Sequence, residues 1–113
     1  MVETVTKRKK RSDRTHILYE IVVAGRFSYI GLTVKSQSTI NKSVTLRLKK
    51  HFERARNEDK NWPLYSAIKK YGTDKVSISV VEVVRGKLNA HKKEVELIKT
   101  LKPKLNLASN GKN

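Results

Sequence analysis

The segment HILYEIVVAGRFSYIGL, residues 16–32, carries two runs of β-branched and aromatic residues on either side of Ala24-Gly25. Such runs with a glycine between them predict a β-hairpin. Side chains alternate between the two faces of a strand, so a register that brings Tyr19 near Tyr29 would put both phenols on one surface. A slip of one residue would separate them, and the turn residues do not fix the loop length.

Four further segments carry helix or strand patterns. They are a helix from about 41 to 57, a second helix opened by Trp62-Pro63 and stopped by Gly72, a strand over 76–84, and a third helix over 90–101. Asn41 or Ser43 is suited to cap the first helix, and Asn89 is suited to cap the third. The later strand should join the hairpin. The sequence therefore predicts an α+β fold, a three-stranded, mainly antiparallel sheet flanked by three helices.

The third predicted helix places a carboxylate in line with its apolar stripe. Leu97, Ile98 and Leu101 should face the core, and Glu94 lies three, four and seven residues before them. A carboxylate at the edge of a core is costly to desolvate unless it has a partner. From the helix geometry alone, a bound metal ion is as good an explanation as a basic side chain that reaches across to Glu94 or a carboxylate that escapes at the margin of the stripe.

The first predicted helix has a cationic strip beside its apolar one. Arg47, Lys50, His51 and Arg54 recur at helical spacing and form this strip. For such a strip taken alone, a solvated basic face is the more common explanation.

Several ring-bearing side chains have simpler predicted positions. We expect Trp62 and Tyr65 in the core rather than as platforms for nucleic-acid bases. His16 and His91 should be surface residues, although His91 lies one helical turn before Glu94 and could reach the same site.

Length and charge set the class of protein. The 113 residues are enough for one compact domain and too few for two. Lys and Arg number 26 against 10 Asp and Glu, and the formal net charge of +16 indicates a polyanionic partner. Residues 1–14 are predicted to be a basic flexible arm, which fits a solubilising tail and a DNA-tracking arm equally well. Residues 15–113 then form the single domain.

Cysteine is absent, which excludes disulfides, cysteine nucleophiles and thiolate-bound metals. Any metal must therefore be held by oxygen or imidazole ligands. No apolar run approaches the length needed to cross a bilayer, and no signal-type segment follows the basic start. We expect a soluble protein of the cytoplasm with no membrane partner, or of the host-cell cytoplasm if the chain is phage-borne.

These residues, in this order, resemble the GIY-YIG nuclease family. Its motifs match Tyr29-Ile30-Gly31 after the turn, Arg47 and His51 in an Arg-x-x-x-His helix, residues 64–72 in the second helix, Glu94 in a glutamate helix, and Asn106 as the closing asparagine. Each piece is weak alone, but their order on the predicted elements is specific. The resemblance covers about 17 to 106, nearly the whole predicted domain.

The chain departs from the family pattern at three places. Ile17-Leu18 stands before Tyr19, where the first name motif usually has Gly-Ile. Leu32 follows the second motif where many members carry a polar or basic residue, so no role is carried over to it. The stretch from 31 to 47 is longer than in compact members, which affects the placement of the arginine.

The resemblance implies a metal-dependent endonuclease that hydrolyses phosphodiester bonds in DNA. In this assignment Arg47 contacts the scissile phosphate and Glu94 holds one Mg²⁺ or Mn²⁺ per active site. Tyr19 is the candidate general base, and a nearby cation must favour its phenolate. Tyr29 would position the water or Tyr19, and His51 would donate a hydrogen bond or accept a proton. The remaining candidates are substrate-binding residues: Gly31, Lys50, Arg54 and Asn106, the last expected to orient the hairpin or Glu94.

DNA is the expected partner, and RNA remains open. One active site cuts one strand, so double-strand cleavage would need a homodimer, two visits or a second molecule. The alternative function is that of a non-catalytic basic nucleic-acid-binding protein, either a nuclease relic or a structural protein. A relic would be expected to have lost Arg47 or Glu94, and both are present.

Overall fold

The computed structural model describes residues 14–57 and 62–106. Its strands and helices are β1 (Thr15–Val23), β2 (Phe27–Val34), α1 (Ile40–Asn57), α2 (Pro63–Tyr71), β3 (Val76–Arg85) and α3 (Lys87–Leu101), with a 3₁₀ turn at Thr73–Lys75 before β3. Both strand pairs are antiparallel and the strand order is β2-β1-β3. The predicted α+β fold is confirmed. The predicted arm over 1–14 lies outside the described residues except for Arg14.

The hairpin has the register that brings the two tyrosines together. Tyr19 lies opposite Gly31 and Ile21 lies opposite Tyr29, so both phenols project from the same face of the sheet. Ala24 and Gly25 both have positive φ, 56° and 65°, in the turn that joins the strands. Two positive φ values in succession match the twist of the strands, and this turn fixes the register that the sequence left open.

α1 begins one residue before the first predicted cap. Thr39 caps the helix, because its Oγ1 accepts a hydrogen bond from the Lys42 backbone N–H at 3.1 Å. The predictions of Asn41 or Ser43 as the cap are wrong. Ser43 instead accepts hydrogen bonds from the backbone N–H groups of Ser36 and Gln37 at 3.1 and 3.0 Å, so its hydroxyl ties the preceding loop to the helix.

α3 begins at Lys87, three residues before the predicted start at 90. Gly86 has φ 95° and leads the chain directly from β3 into the helix, where the Ala90 N–H donates to the Gly86 carbonyl at 3.0 Å. Asn89 therefore lies inside the first turn and is not the cap. The glycine turn was expected only to end the strand, which is why the helix start was placed too late.

The main core lies between α1, α2 and the sheet face that carries Tyr19. Ile17, Tyr19 and Ile21 of β1 are fully buried there, and Tyr65 of α2 is 2% exposed. The other sheet face also contributes fully buried side chains, among them Leu18. α3 contacts all three strands, chiefly β1 and β2. No helix of the described part of the chain is long and apolar enough to span a membrane.

Three predicted side-chain positions are wrong. Leu101 is 53% exposed rather than in the core, because the chain reverses at Lys102 and brings Leu105 into the core instead. His16 is buried rather than on the surface, since β1 is flanked by strands on both sides, and its Nδ1 lies 2.8 Å from the Arg14 carbonyl oxygen. Trp62 is 40% exposed, because it precedes the first turn of α2 instead of facing the sheet.

Gly31 is required by the position of the Tyr19 ring. A Cβ on Gly31 would lie 2.7 Å from Tyr19 Cε1 and closer still to Cζ and the hydroxyl oxygen. Because Tyr19 and Gly31 are directly opposite in the hairpin, the missing side chain on one strand makes the space that the phenol of the other fills.

We expect Gly31→Ala to lower the free energy of unfolding by about 1–3 kcal/mol, the usual cost of overpacking. The penalty should nearly vanish in a Tyr19→Leu background, where no ring meets the new methyl group. Urea denaturation of the two single variants and the double variant measures this coupling. Gly25→Ala is the matched control, since a Cβ there meets nothing within 4 Å and strains only the backbone. Penalties that add in the double variant would disprove the contact.

Candidate active site

A cavity of about 360 Å³ brings together most of the residues singled out in the sequence. Six of the nine candidates line it: Tyr29, Arg47, His51, Arg54, Glu94 and Asn106. Tyr19 is fully buried behind His51, and Gly31 lies beneath the Tyr19 ring. Lys50 is exposed on α1 and lines a neighbouring cleft together with Arg47. The cavity thus collects side chains from the hairpin, α1, α3 and the segment after α3.

Tyr19 joins the sheet to α1 through two hydrogen bonds. Its hydroxyl oxygen lies 2.8 Å from His51 Nε2 and accepts a hydrogen bond from Arg47 Nε at 3.3 Å. Arg47 and His51 are four residues apart, so they lie on one face of α1. The bond from Nε leaves both terminal nitrogens of the Arg47 guanidinium available to other acceptors.

His51 is a neutral imidazole. Burial, with smaller contributions from the charges of Arg47 and Arg54, lowers its pKa to about 4. We assign its Nε2 as the acceptor of the Tyr19 hydroxyl proton, since Arg47 Nε already donates to that oxygen. The imidazole proton is then on Nδ1, which is buried and has no hydrogen-bond partner among the described residues.

Tyr19 is a neutral phenol. Burial raises its pKa above the ordinary value of 10, and this outweighs the hydrogen bond and the charge of Arg47, which both lower the pKa. The cation expected from the sequence is present, but in the free protein burial favours the neutral phenol over the phenolate. Tyr29 behaves in the same way, because burial raises the pKa of its phenol as well. Its ring meets the His51 ring edge-on, with centroids 5.7 Å apart.

Glu94 is the sole carboxylate among the described residues that line the cavity. Burial raises the pKa of its carboxyl group, and His91 only partly opposes this effect. The His91 Nδ1 atom lies 3.7 Å from Glu94 Oε1, too far for a hydrogen bond. A lysine or arginine that reaches across the stripe is not observed within the described residues. The Glu94 side chain is 23% exposed, so a position at the margin of the stripe and a bound metal ion both fit it.

The donor set fits a hard divalent cation with few protein ligands. No group of three or more His, Cys, Asp or Glu side chains that could hold a metal occurs within 14–57 and 62–106. Glu94 would thus be a single carboxylate ligand, and Mg²⁺ commonly binds through one or two carboxylates while it keeps waters and takes phosphate oxygens. A partly buried carboxylate with a raised pKa and a weak partner is the kind of group that such a cation stabilises.

Asn106 joins the segment after α3 to β2. Its side-chain oxygen accepts from the Ile30 N–H and its Nδ2 donates to the Ile30 carbonyl, both at 2.8 Å. The Leu105 N–H donates to the Ser28 carbonyl at 2.9 Å. β2 is an edge strand, so these bonds satisfy backbone groups that face away from β1. Asn106 therefore holds the tyrosine-bearing hairpin in position.

Five apolar residues line the cavity that the sequence did not assign to a site. They are Trp62, Leu64, Tyr65, Ile98 and Leu105. Trp62 comes directly before the proline that begins α2, and so it lies outside the amphipathic pattern of that helix. This position is the signal that could have predicted its exposure. The others belong to regular apolar stripes and carry no such signal.

Comparison with protein-family models, with curated proteins and with solved structures finds no match to this chain. The function must therefore be inferred from the side chains of the cavity and their geometry.

The lowered pKa of His51 has a consequence for stability. The unfolded chain takes up this proton near pH 6.5 and the folded protein only near pH 4. The contribution of neutral His51 to the free energy of unfolding is fully present above pH 6.5. It is lost as the pH falls to about 4, and the loss is on the order of 3 kcal/mol. Denaturation in urea between pH 7 and 4 should show a loss that His51→Gln reduces. Parallel slopes for the parent protein and the His51→Gln variant would contradict a buried neutral His51.

Proposed function

We propose that this protein is a metal-dependent endonuclease of the GIY-YIG type that hydrolyses phosphodiester bonds in DNA. The observation that carries the proposal is the buried Tyr19–His51–Arg47 network beside a cavity that also holds Glu94. Hydrolysis needs a proton acceptor, a cation on the phosphoryl oxygens and help for the leaving oxygen. The residues that the resemblance nominated supply these three kinds of group around one cavity.

Arg47 binds the scissile phosphate. Its Nε is engaged by Tyr19, which orients the guanidinium, and the two terminal nitrogens offer the paired donors that suit a phosphate. Arg54 lines the same cavity, and exposed Lys50 extends the cationic surface along α1. These flanking charges hold the backbone of the nucleic acid, while the substrate itself is a polyanion that a chain of net charge +16 attracts over long distances.

Tyr19 and His51 together accept the proton of the attacking water. The Tyr19 hydroxyl is buried in the free protein, so the attacking water reaches it only after substrate binding draws Arg47 away from it. As the water oxygen then bonds to phosphorus, its proton passes to the Tyr19 oxygen and the Tyr19 proton passes to His51 Nε2 over the 2.8 Å hydrogen bond. This route needs no phenolate in the resting protein, which agrees with the raised pKa of Tyr19. The leaving oxygen takes its proton from solvent, and His51 returns its own to solvent through Tyr19.

The substrate improves the base that acts on it. Arg47 and Arg54 both lower the pKa of His51, after the larger effect of burial. A phosphodiester anion bound to these arginines offsets their charge, so the pKa of His51 rises when the substrate is bound. The base is therefore weakest in the free protein and strongest in the complex, where a proton has to be accepted.

Glu94 would hold the one Mg²⁺ or Mn²⁺, which when bound supplies positive charge at the phosphoryl and leaving oxygens. The same carboxylate without a cation would repel a phosphate. Asn106 acts at a distance from the chemistry, since its two hydrogen bonds go to the backbone of Ile30. Tyr29 lines the cavity as a neutral phenol and is suited to orient the attacking water.

The first test is cleavage itself. We expect the purified protein to nick supercoiled plasmid in Mg²⁺ or Mn²⁺, and EDTA to stop the reaction. Glu94→Gln should lower the rate by about 100-fold or more, because it keeps the shape and removes the charge that anchors the cation. Glu96→Gln is the matched control on the same helix, since its side chain is 73% exposed. If plasmid, branched DNA and RNA all stay intact with either metal, the protein is a non-catalytic nucleic-acid-binding protein.

The second test asks whether Tyr19 and His51 act as one unit. Tyr19→Phe keeps the ring over Gly31 and removes only the hydroxyl, and His51→Gln removes the base. Each should slow single-turnover cleavage by about 100-fold or more, and the double variant should be no slower than the worse single variant. Tyr29→Phe should retain measurable activity. Losses that multiply in the double variant would mean that the two residues have independent roles.

A further inference from the structure

The proposed chemistry uses only the polar side chains of the cavity. The lining also contains five apolar or aromatic side chains without a role in that chemistry: Trp62, Leu64, Tyr65, Ile98 and Leu105. A charged phosphodiester group gains no favourable contact from apolar side chains. The volume of about 360 Å³ is within the roughly 300–1,000 Å³ range of small-molecule sites, so there is room for a flat ring beside the phosphate.

Of these apolar and aromatic side chains, Trp62 is the most exposed to solvent. Its indole ring stacks on the Tyr65 ring, with centroids 5.4 Å apart and planes inclined by 18°. Tyr65 is 2% exposed, while Trp62 is 40% exposed. Trp62 has extended backbone angles and is followed by Pro63, whose fixed φ restricts the start of α2. The indole is therefore a large aromatic surface held in place by a buried ring behind it.

We infer that the apolar side chains of the cavity bind a nucleobase turned out of its stack next to the scissile phosphate, with Trp62 as the stacking surface. The inference rests on the proposed function, because it takes the phosphate to lie at Arg47. Trp62 and the arginines line one cavity, as a nucleotide that presents a base and a phosphate together requires. Exposed aromatic rings beside cationic side chains are the usual means of binding unstacked bases.

The preferred substrate then has an unpaired nucleotide at the cleavage site. A base inside a regular duplex must first lose its pairing and stacking, whereas a bulged, flapped or single-stranded base has little or nothing to lose. Stacking on an aromatic side chain is worth enough to favour the unpaired substrate by roughly tenfold or more. This assigns substrate choice to the shape of the cavity rather than to contacts with base edges in a groove.

The chain offers a direct probe, because Trp62 is its single tryptophan. The full-length protein with Glu94→Gln, which removes the carboxylate that would repel a phosphate in the absence of a cation, would be titrated in EDTA with three short DNAs: a continuous duplex, the same duplex with one bulged nucleotide, and the same bulge without its base. We expect the bulged duplex to bind about tenfold more tightly than the other two and to quench the tryptophan emission most strongly. Equal affinity for the bulge with and without its base would overturn the inference.

Two variants separate stacking from a structural role of the indole. Trp62→Phe should keep most of the preference for the bulge, whereas Trp62→Ala should lose it while continuous duplex binds as before. A Trp62→Ala protein that keeps the preference would assign the base to another site and overturn the inference. Because these measurements need no metal and no cleavage, they are independent of the nicking assay. Cleavage without a base preference defeats only this inference, and base-dependent binding without any cleavage defeats only the nuclease.

Discussion

The structure depends on the Tyr19 hydroxyl group, which needs hydrogen-bond partners inside the core. Tyr19 is fully buried on the central strand, and its ring fills the space that Gly31 leaves. A buried hydroxyl without partners destabilises a fold by a few kcal/mol. Arg47 and His51 of α1 provide those partners, so α1 can occupy only one register against the sheet. The contact that positions the helix is the same contact that orients both of its polar side chains at the cavity.

The electrostatics of the cavity follow from that arrangement. α1 brings cations to a partly dry site, and these together with burial hold His51 neutral. Glu94 enters the same space from α3 with no close cationic partner among the described residues that line it. A phosphate and this carboxylate would repel each other at such short range, and a divalent cation between them would remove the conflict. The unbalanced charges of the free protein are thus complementary to a metal ion and a phosphodiester taken together.

The sequence predicted element types well, because strand alternation and helical periodicity are local properties. Strand alternation also predicts that Tyr19 and Tyr29 share one face of the sheet, provided that the register of the hairpin is given. The sequence-based prediction failed where tertiary contacts override local preference. Thr39 caps α1 because the loop takes up Ser43, and His16 is buried because β1 has neighbours on both sides. The protonation states could not be predicted, because burial outweighs the charge of Arg47 in setting the pKa of Tyr19.

His51 and Glu94, which have proposed roles in the chemistry, also have incomplete hydrogen bonding or charge pairing among the described residues. Among the described residues, His51 has a buried ring nitrogen without a partner, and the partly buried Glu94 has no salt bridge to Lys or Arg. In contrast, both the side-chain oxygen and the side-chain nitrogen of Asn106 are hydrogen-bonded to the backbone of β2. A core selected only for stability would replace the first two by apolar side chains. Their presence inside a well-packed domain fits the proposed function, in which a metal ion and a phosphodiester would supply the missing partners.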